Sequence, residues 1–217
     1  MNRIAQIKSA LENSVTVPID RATSFFKTDR GDYAEGDVFI GVKVPFLRKI
    51  SKSFKNLTPN DLKRLIKSKI NEERLLALMI LVLQYKSSDV QSKEKLYQFY
   101  VENLHHVNNW NLVDASAHLI IGAHLWDKDR RPLLALAKSE ILWERRIAIV
   151  STWYFIRNND VKWTFKIAST LLEDRHDLIH KAVGWMLREA GKRKQQELFE
   201  ILRKKGTLTP IKTSPSA

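Results

Sequence analysis

Glu72-Glu73-Arg74-Leu75-Leu76-Ala77-Leu78-Met79-Ile80-Leu81-Val82-Leu83-Gln84-Tyr85-Lys86 decides the fold, because a stretch of the same kind returns three more times. Placing Ala77, Ala115, Ala148 and Ala182 under one another aligns it with Trp110 to Trp126, Trp143 to Asn158 and Asp177 to Lys192, at offsets of 38, 33 and 34. Each block reads as a long helix preceded by a shorter one, and the residues ahead of the first, Leu62, Leu65 and Ile66, keep helical spacing. A repeat of roughly 35 residues with one short and one long helix suits stacked helix pairs, each burying its apolar face against its neighbours.

The breakers agree. Three of the seven glycines lie between Gly31 and Gly41, and prolines stand where helices can begin, at Pro18, Pro45, Pro59 and Pro132. Apolar spacing of three and four, as in Ile147, Val150 and Tyr154, fills the rest and gives roughly twelve helices. The fold class read from this is all-α, a curved solenoid of HEAT-like antiparallel helix pairs with a concave groove. A compact irregular helical bundle is the alternative, since helix-loop-helix spacing of this size also arises without repetition. Residues 1–205 are expected to form a single HEAT-like domain, and residues 206–217, a mixture of Thr, Ser, Pro and Lys, a flexible tail.

Charge narrows the function. With 37 Lys and Arg against 24 Asp and Glu, the formal net charge is +13, which favours a polyanionic partner, nucleic acid first. Lys43 to Lys69 carries nine cations against the single acid Asp61, so Lys43 and Arg48 are candidate phosphate contacts, and Arg188 to Lys205 is also cation-rich. An anionic membrane surface is the rival, but no amphipathic anchor or lipidation signal stands out. The absence of cysteine excludes disulfides, thiol nucleophiles, iron-sulfur clusters and thiolate-bound zinc. The longest apolar run, Leu75 to Leu83, is too short to cross a bilayer, and the N-terminus lacks a signal core, so a cytoplasmic protein is expected; a monomer is expected as well. His176 and His180 have zinc-face spacing without the glutamate of the metalloprotease motif, and Gly31, Gly36 and Gly41 do not form a phosphate-cradling loop. No metal and no nucleotide cofactor are expected.

Three constellations remain. Asn109-Trp110-Asn111-Leu112-Val113-Asp114 puts an indole and a carboxylate four residues apart, on one face of a helix. Trp143-Glu144-Arg145-Arg146-Ile147-Ala148 offers paired guanidinium groups, suited either to clamping phosphate or to a salt bridge between repeats, with Glu144 or Asp177 as partner. In His180-Lys181-Ala182-Val183-Gly184-Trp185-Met186-Leu187-Arg188-Glu189, Trp185 and Arg188 share a face. Gly184, costly in a helix, implies close approach of another backbone or of a ligand.

Together with Phe25-Phe26-Lys27-Thr28 and Gly36-Asp37-Val38-Phe39-Ile40-Gly41-Val42-Lys43-Val44-Pro45, these segments resemble the AlkD-type DNA alkylation-repair family, HEAT-like glycosylases that remove N3- and N7-alkylated purines. The resemblance implies that Asp114 is the catalytic carboxylate and that Trp110 and Trp185 are the groove tryptophans. It also implies that Arg146 and Arg188 grip the DNA backbone, with Arg145 and Lys181 beside them. The partner it implies is duplex DNA with alkylated bases, attacked without flipping the base. A non-catalytic relative that binds distorted or branched DNA is the alternative.

Overall fold

The computed structural model describes residues 2–204, so the tail expected over 206–217 lies outside the described residues. Among the described residues there are helices and no strands, with two isolated β-bridges, Val15 with Val42 and Val38 with Ile70. The chain is all-α and divides between Lys128 and Asp129 into two compact units.

The first unit holds α1 (Arg3–Glu12), α2 (Ile19–Phe26), α3 (Val44–Ser53), α4 (Pro59–Ile66), α5 (Asn71–Ser87), α6 (Val90–Glu102) and α7 (Trp110–Ala117). Three of the four prolines noted in the sequence act as helix starters: Pro45, Pro59 and Pro132 occupy the first helical positions, where a missing N–H costs nothing. Pro18 caps α2. Helix α5 is the axis of this unit and is buried on nearly every side. Its Leu76, Leu78, Ile80 and Leu81 pack among Leu47 of α3, Leu62, Leu65 and Ile66 of α4, and Leu112 and Val113 of α7. Each such side chain contributes about 1.5–3 kcal/mol of burial. Helix α7 runs on into a wider π turn, His118–Gly122.

The second unit holds α8 (Arg131–Ala137), α9 (Leu142–Ser151), α10 (Trp153–Arg157), α11 (Lys162–Leu171), α12 (Asp177–Gly191) and α13 (Gln195–Lys204). Helix α9 packs on α8 and α12, and α11 on α12, around Ile147, Ile149, Val150, Phe155, Ile167, Ile179 and Met186. Short connections make α4–α5, α8–α9 and α11–α12 antiparallel neighbours, as the repeat requires.

A hydrogen-bonding device recurs at the start of the long helices. Ser68 Oγ accepts from the Ile70 amide and Ser139 Oγ from the Ile141 amide, both at 3.0 Å. Arg74 Nη1 then donates back to the carbonyls of Ser68 and Lys69 at 2.8 and 3.1 Å, and Arg145 Nη1 to those of Ser139 and Glu140 at 3.0 and 2.9 Å. Each guanidinium also meets a carboxylate, Arg74 with Asp37 at 2.5 Å and Arg145 with Asp174 at 2.6 Å. Before α12, Asp174 takes the serine's place by accepting from the His176 amide at 2.9 Å, and the His180 ring takes the arginine's by meeting the Asp174 carbonyl. Arg74 and Arg145 are separated by the sum of the first two alanine offsets, so the repeat has a physical basis as well as a spacing. Helix α7 departs from it: Ala77, Ala148 and Ala182 are buried, whereas Ala115 is partly exposed.

Candidate active site

Helix α7 begins at Trp110 because Asn109 closes its N-terminus, accepting the Trp110 amide on Oδ1 at 2.8 Å. The Asn109 side-chain nitrogen Nδ2 donates to Asp37 Oδ2 at 2.9 Å, and Asp37 also receives Asn71 Nδ2 at 2.9 Å and the Arg74 guanidinium. Asn111 donates to Asn71 Oδ1 at 2.7 Å. One carboxylate thus ties the loop before α3 to the first residues of α5 and the cap of α7. Charge-assisted bonds of this kind fix a backbone more firmly than neutral ones.

The same loop is pinned from below. Glu72, buried at the start of α5, accepts on Oε1 from the amides of Gly41 at 2.8 Å, Ile40 at 3.1 Å and Val42 at 3.3 Å. Gly41 has φ +81°, and a Cβ there would lie 2.1 Å from the Val17 carbonyl oxygen, so no other residue fits. This seats Phe39 beneath Phe26, with ring centroids 4.3 Å apart, and Phe26 stacks in turn on Trp110 at 5.0 Å. Phe25 meets the Trp110 ring edge-on at 5.7 Å, and Trp110 Nε1 donates to the Tyr33 hydroxyl at 3.3 Å. The indole is therefore braced on one side and partly exposed, with Asp114 partly exposed one turn further along α7.

Beside Trp110 lies a mainly apolar cavity of about 490 Å³, walled by Phe25, Phe26, Phe39 and Leu75, with Lys43 and Arg21 among its lining residues. Asp114 does not line it. Lys43 caps α3 and Arg48 lies within that helix, both exposed.

In the second unit, Trp185 is partly exposed and meets Trp153 edge-on at 4.9 Å. His180, Lys181, Gly184 and Arg188 are exposed along α12; Lys181 pairs with Asp177 at 2.6 Å, and Arg188 Nε stands 3.9 Å from Glu189. A Cβ at Gly184 would meet no atom within 4 Å. The close backbone approach expected there is absent among the described residues, and the glycine instead leaves a bare strip of helix between two cations. Arg145 is committed to Asp174 and two carbonyls, so its ion-pair partner is Asp174 in place of the Glu144 or Asp177 expected from the sequence. Arg146 is 6% exposed and donates from Nη1 to the Leu178 carbonyl at 2.6 Å. Any phosphate grip by this pair shares its guanidinium groups with the chain's own acceptors. His176 caps α12 by accepting the Leu178 amide on Nδ1 at 3.1 Å.

Asp37, Asn71, Glu72, Phe26, Phe39 and Tyr33 were not singled out as site residues by sequence reasoning. Four lie in or beside the Phe25 and Gly36-to-Pro45 segments, but nothing local says that Phe26 ends up under an indole 84 positions later.

The family model described as DNA alkylation repair enzyme matches residues 12–216. The chain belongs to that family. No curated protein matches it. A solved structure described as a predicted DNA alkylation repair enzyme from Enterococcus faecalis is similar with a TM-score of 0.64 at 18% identity, over 92% of this chain and 95% of that one. At that identity the likeness speaks for the fold, and it fits a helical, repeat-like architecture. For a DNA alkylation repair protein the polyanionic partner announced by the net charge of +13 is DNA. Among the described residues, no helix of the repair protein is long and apolar enough to cross a membrane.

Proposed function

We propose that this repair protein is a DNA glycosylase that excises cationic N3- and N7-alkylated purines from duplex DNA. The observation that carries the reading is the pairing on α7 of a braced, partly exposed indole with a partly exposed carboxylate one turn away. A purine alkylated at N3 or N7 already bears positive charge, so the electron pair of the breaking glycosidic bond neutralises it and no general acid is needed. What remains is to stabilise a sugar that becomes oxocarbenium-like. The Asp114 carboxylate opposes that charge and orients the water that attacks C1′, while the face of Trp110 lies against the deoxyribose. In the second unit, Trp185 contacts the backbone, and Lys181 and Arg188 take phosphates across the bare strip at Gly184. Lys43 and Arg48 do so in the first unit, and Arg145 and Arg146 chiefly hold α9 in place for them.

Excision without base flipping is part of the proposal. A base turned out into the apolar cavity beside Trp110 would enter a space that Asp114 does not line, which separates the reacting bond from its carboxylate.

Asp114→Asn keeps shape and removes charge. Its rate of 7-methylguanine release is expected to fall about 100- to 1000-fold, the equivalent of roughly 2.7–4 kcal/mol, with affinity for the duplex unchanged or slightly higher. Single-turnover release alongside a binding titration measures both, and an Asn variant as fast as the parent removes the carboxylate from the mechanism.

A further inference from the structure

Residues 27–37 lead from the end of α2 to Asp37, and their own turns hold them in shape. The carbonyls of Lys27, Asp29, Asp32 and Ala34 accept the amides of Ala34, Asp32, Glu35 and Asp37 at 3.3, 3.0, 3.2 and 3.0 Å, and Glu35 Oε2 accepts the Gly31 amide at 2.9 Å. Ala34 is buried. This loop meets the start of α7 twice. Asp37 receives the side chain of Asn109, which caps the helix, and the Tyr33 hydroxyl receives Nε1 of Trp110, its first residue. One contact fastens the backbone of α7 and the other fastens its indole.

The two supports of that indole do different things. Stacking on Phe26, with centroids 5.0 Å apart and planes 18° apart, sets the plane of the ring. Dispersion between two faces is nearly indifferent to how a ring is turned within that plane. The χ2 torsion of a tryptophan is broad, so stacking alone lets the ring turn over and exchange its edges. The N–H···O bond to Tyr33 at 3.3 Å is directional and admits one of these orientations. It also polarises the indole: a ring whose N–H donates carries more electron density on its face, the property on which a cationic sugar draws.

We propose that Tyr33 is a positioning residue for base excision. It acts through Trp110, and its hydroxyl holds the indole in the orientation that presents the ring face to the deoxyribose. The inference rests on the glycosylase reading of Trp110 and adds to it a residue from outside α7. Tyr33 neither gives nor takes a proton in the reaction, so its hydroxyl is worth what the orientation and polarisation of the indole are worth.

Tyr33→Phe removes that hydroxyl and keeps the ring. Single-turnover release of 7-methylguanine is followed across protein concentration at matched folded fraction, alone and in a cycle with Trp110→Phe, which keeps an aromatic face and has no N–H to donate. Tyr33→Phe is expected to lower the limiting rate about 2- to 10-fold, the range of one neutral hydrogen bond, and to leave the half-saturating concentration nearly unchanged. In the Trp110→Phe background the same change should cost nothing. An equal loss in both backgrounds overturns the proposal, because the hydroxyl then acts without the indole N–H; so does a Tyr33→Phe variant as fast as the parent. A second readout needs no activity: the indole N–H signal of Trp110 in proton NMR, assigned by its disappearance in Trp110→Phe. In Tyr33→Phe it should move upfield and exchange faster with solvent, and an unmoved signal overturns the proposal. If the parent releases no base, the glycosylase reading fails and the positioning role falls with it; a shifted indole signal then marks that reading, and not the contact, as what failed.

Discussion

Trp110 and Trp185 are held differently, and that difference sets what each substitution can report. Trp110 sits on Phe26 and donates to Tyr33, so removing the ring also disturbs packing; Trp185 has the edge of Trp153 beside it on a more open helix face. Trp163, partly exposed with Lys166 Nζ 4.6 Å from its ring centroid, serves as the comparison. Contacts between an aromatic face and a developing cation are worth roughly 0.5–2 kcal/mol, so Trp110→Ala and Trp185→Ala are expected to slow base release about 3- to 30-fold. Trp163→Ala should leave it nearly unchanged. Rates compared at matched folded fraction check this, and equal losses at all three positions would mean that the rings only pack. At this scale the sequence spoke through spacing alone. Four residues on one helix bring Trp110 to Asp114, a local fact, whereas the Phe26 stack and the Asp37 hub come from loops that only tertiary folding brings to α7.

Among the elements, the starts of the long helices carry the repeat. Spacing and proline placement announced the helices, and Arg74 and Arg145 stand at the same place in that spacing, but their return onto their own preceding loops is a tertiary fact that spacing alone does not display. Nor does any residue pattern mark the π turn after α7, since Ala117 to Ala123 has the composition of ordinary helix. The pair of Arg145 with Asp174 makes the start of α9 sensitive to pH. Burial pushes the Asp174 carboxyl up, yet the Arg145 hydrogen bond, the His176 amide and the charges of Arg145 and His176 outweigh it and leave the pKa below the ordinary 3.8. A carboxyl whose pKa is depressed by folding stabilises the native state above its unfolded pKa and loses that contribution as pH falls through the folded value. Asp174→Asn is therefore expected to cost about 1.5–3 kcal/mol at pH 7. Urea titrations should find that difference constant down to about pH 4 and shrinking below it. A difference that persists undiminished at pH 2 would show that shape, and not the charge of Asp174, holds α9 to the loop before α12.

For the molecule as a whole, the net charge of +13 was legible from composition and the family from segments spread along the chain, while the division near Lys128 was not, because no run of linker residues marks it. If Lys43, Arg48, Lys181 and Arg188 each neutralise a phosphate, log affinity for duplex DNA falls linearly with log salt, at about 0.9 per contact. Replacing Arg188 or Lys181 by Gln should reduce that slope by about one contact each, while Arg146→Gln, at a buried guanidinium, should act mainly through stability. Binding that is indifferent to salt between dilute and physiological buffer would refute phosphate contact by these four cations. A DNA alkylation repair protein that breaks the glycosidic bond of a cationic purine sets the base free, and that release can be measured. Excess protein is incubated with one duplex holding a single 7-methylguanine and with a matched duplex holding uracil, and the free base is quantified over time. Complete release of 7-methylguanine is expected, with retention of uracil, whose neutral ring would need an acid that the proposed site does not supply. Tight binding of the 7-methylguanine duplex with no base set free, or removal of uracil at a comparable rate, would contradict it.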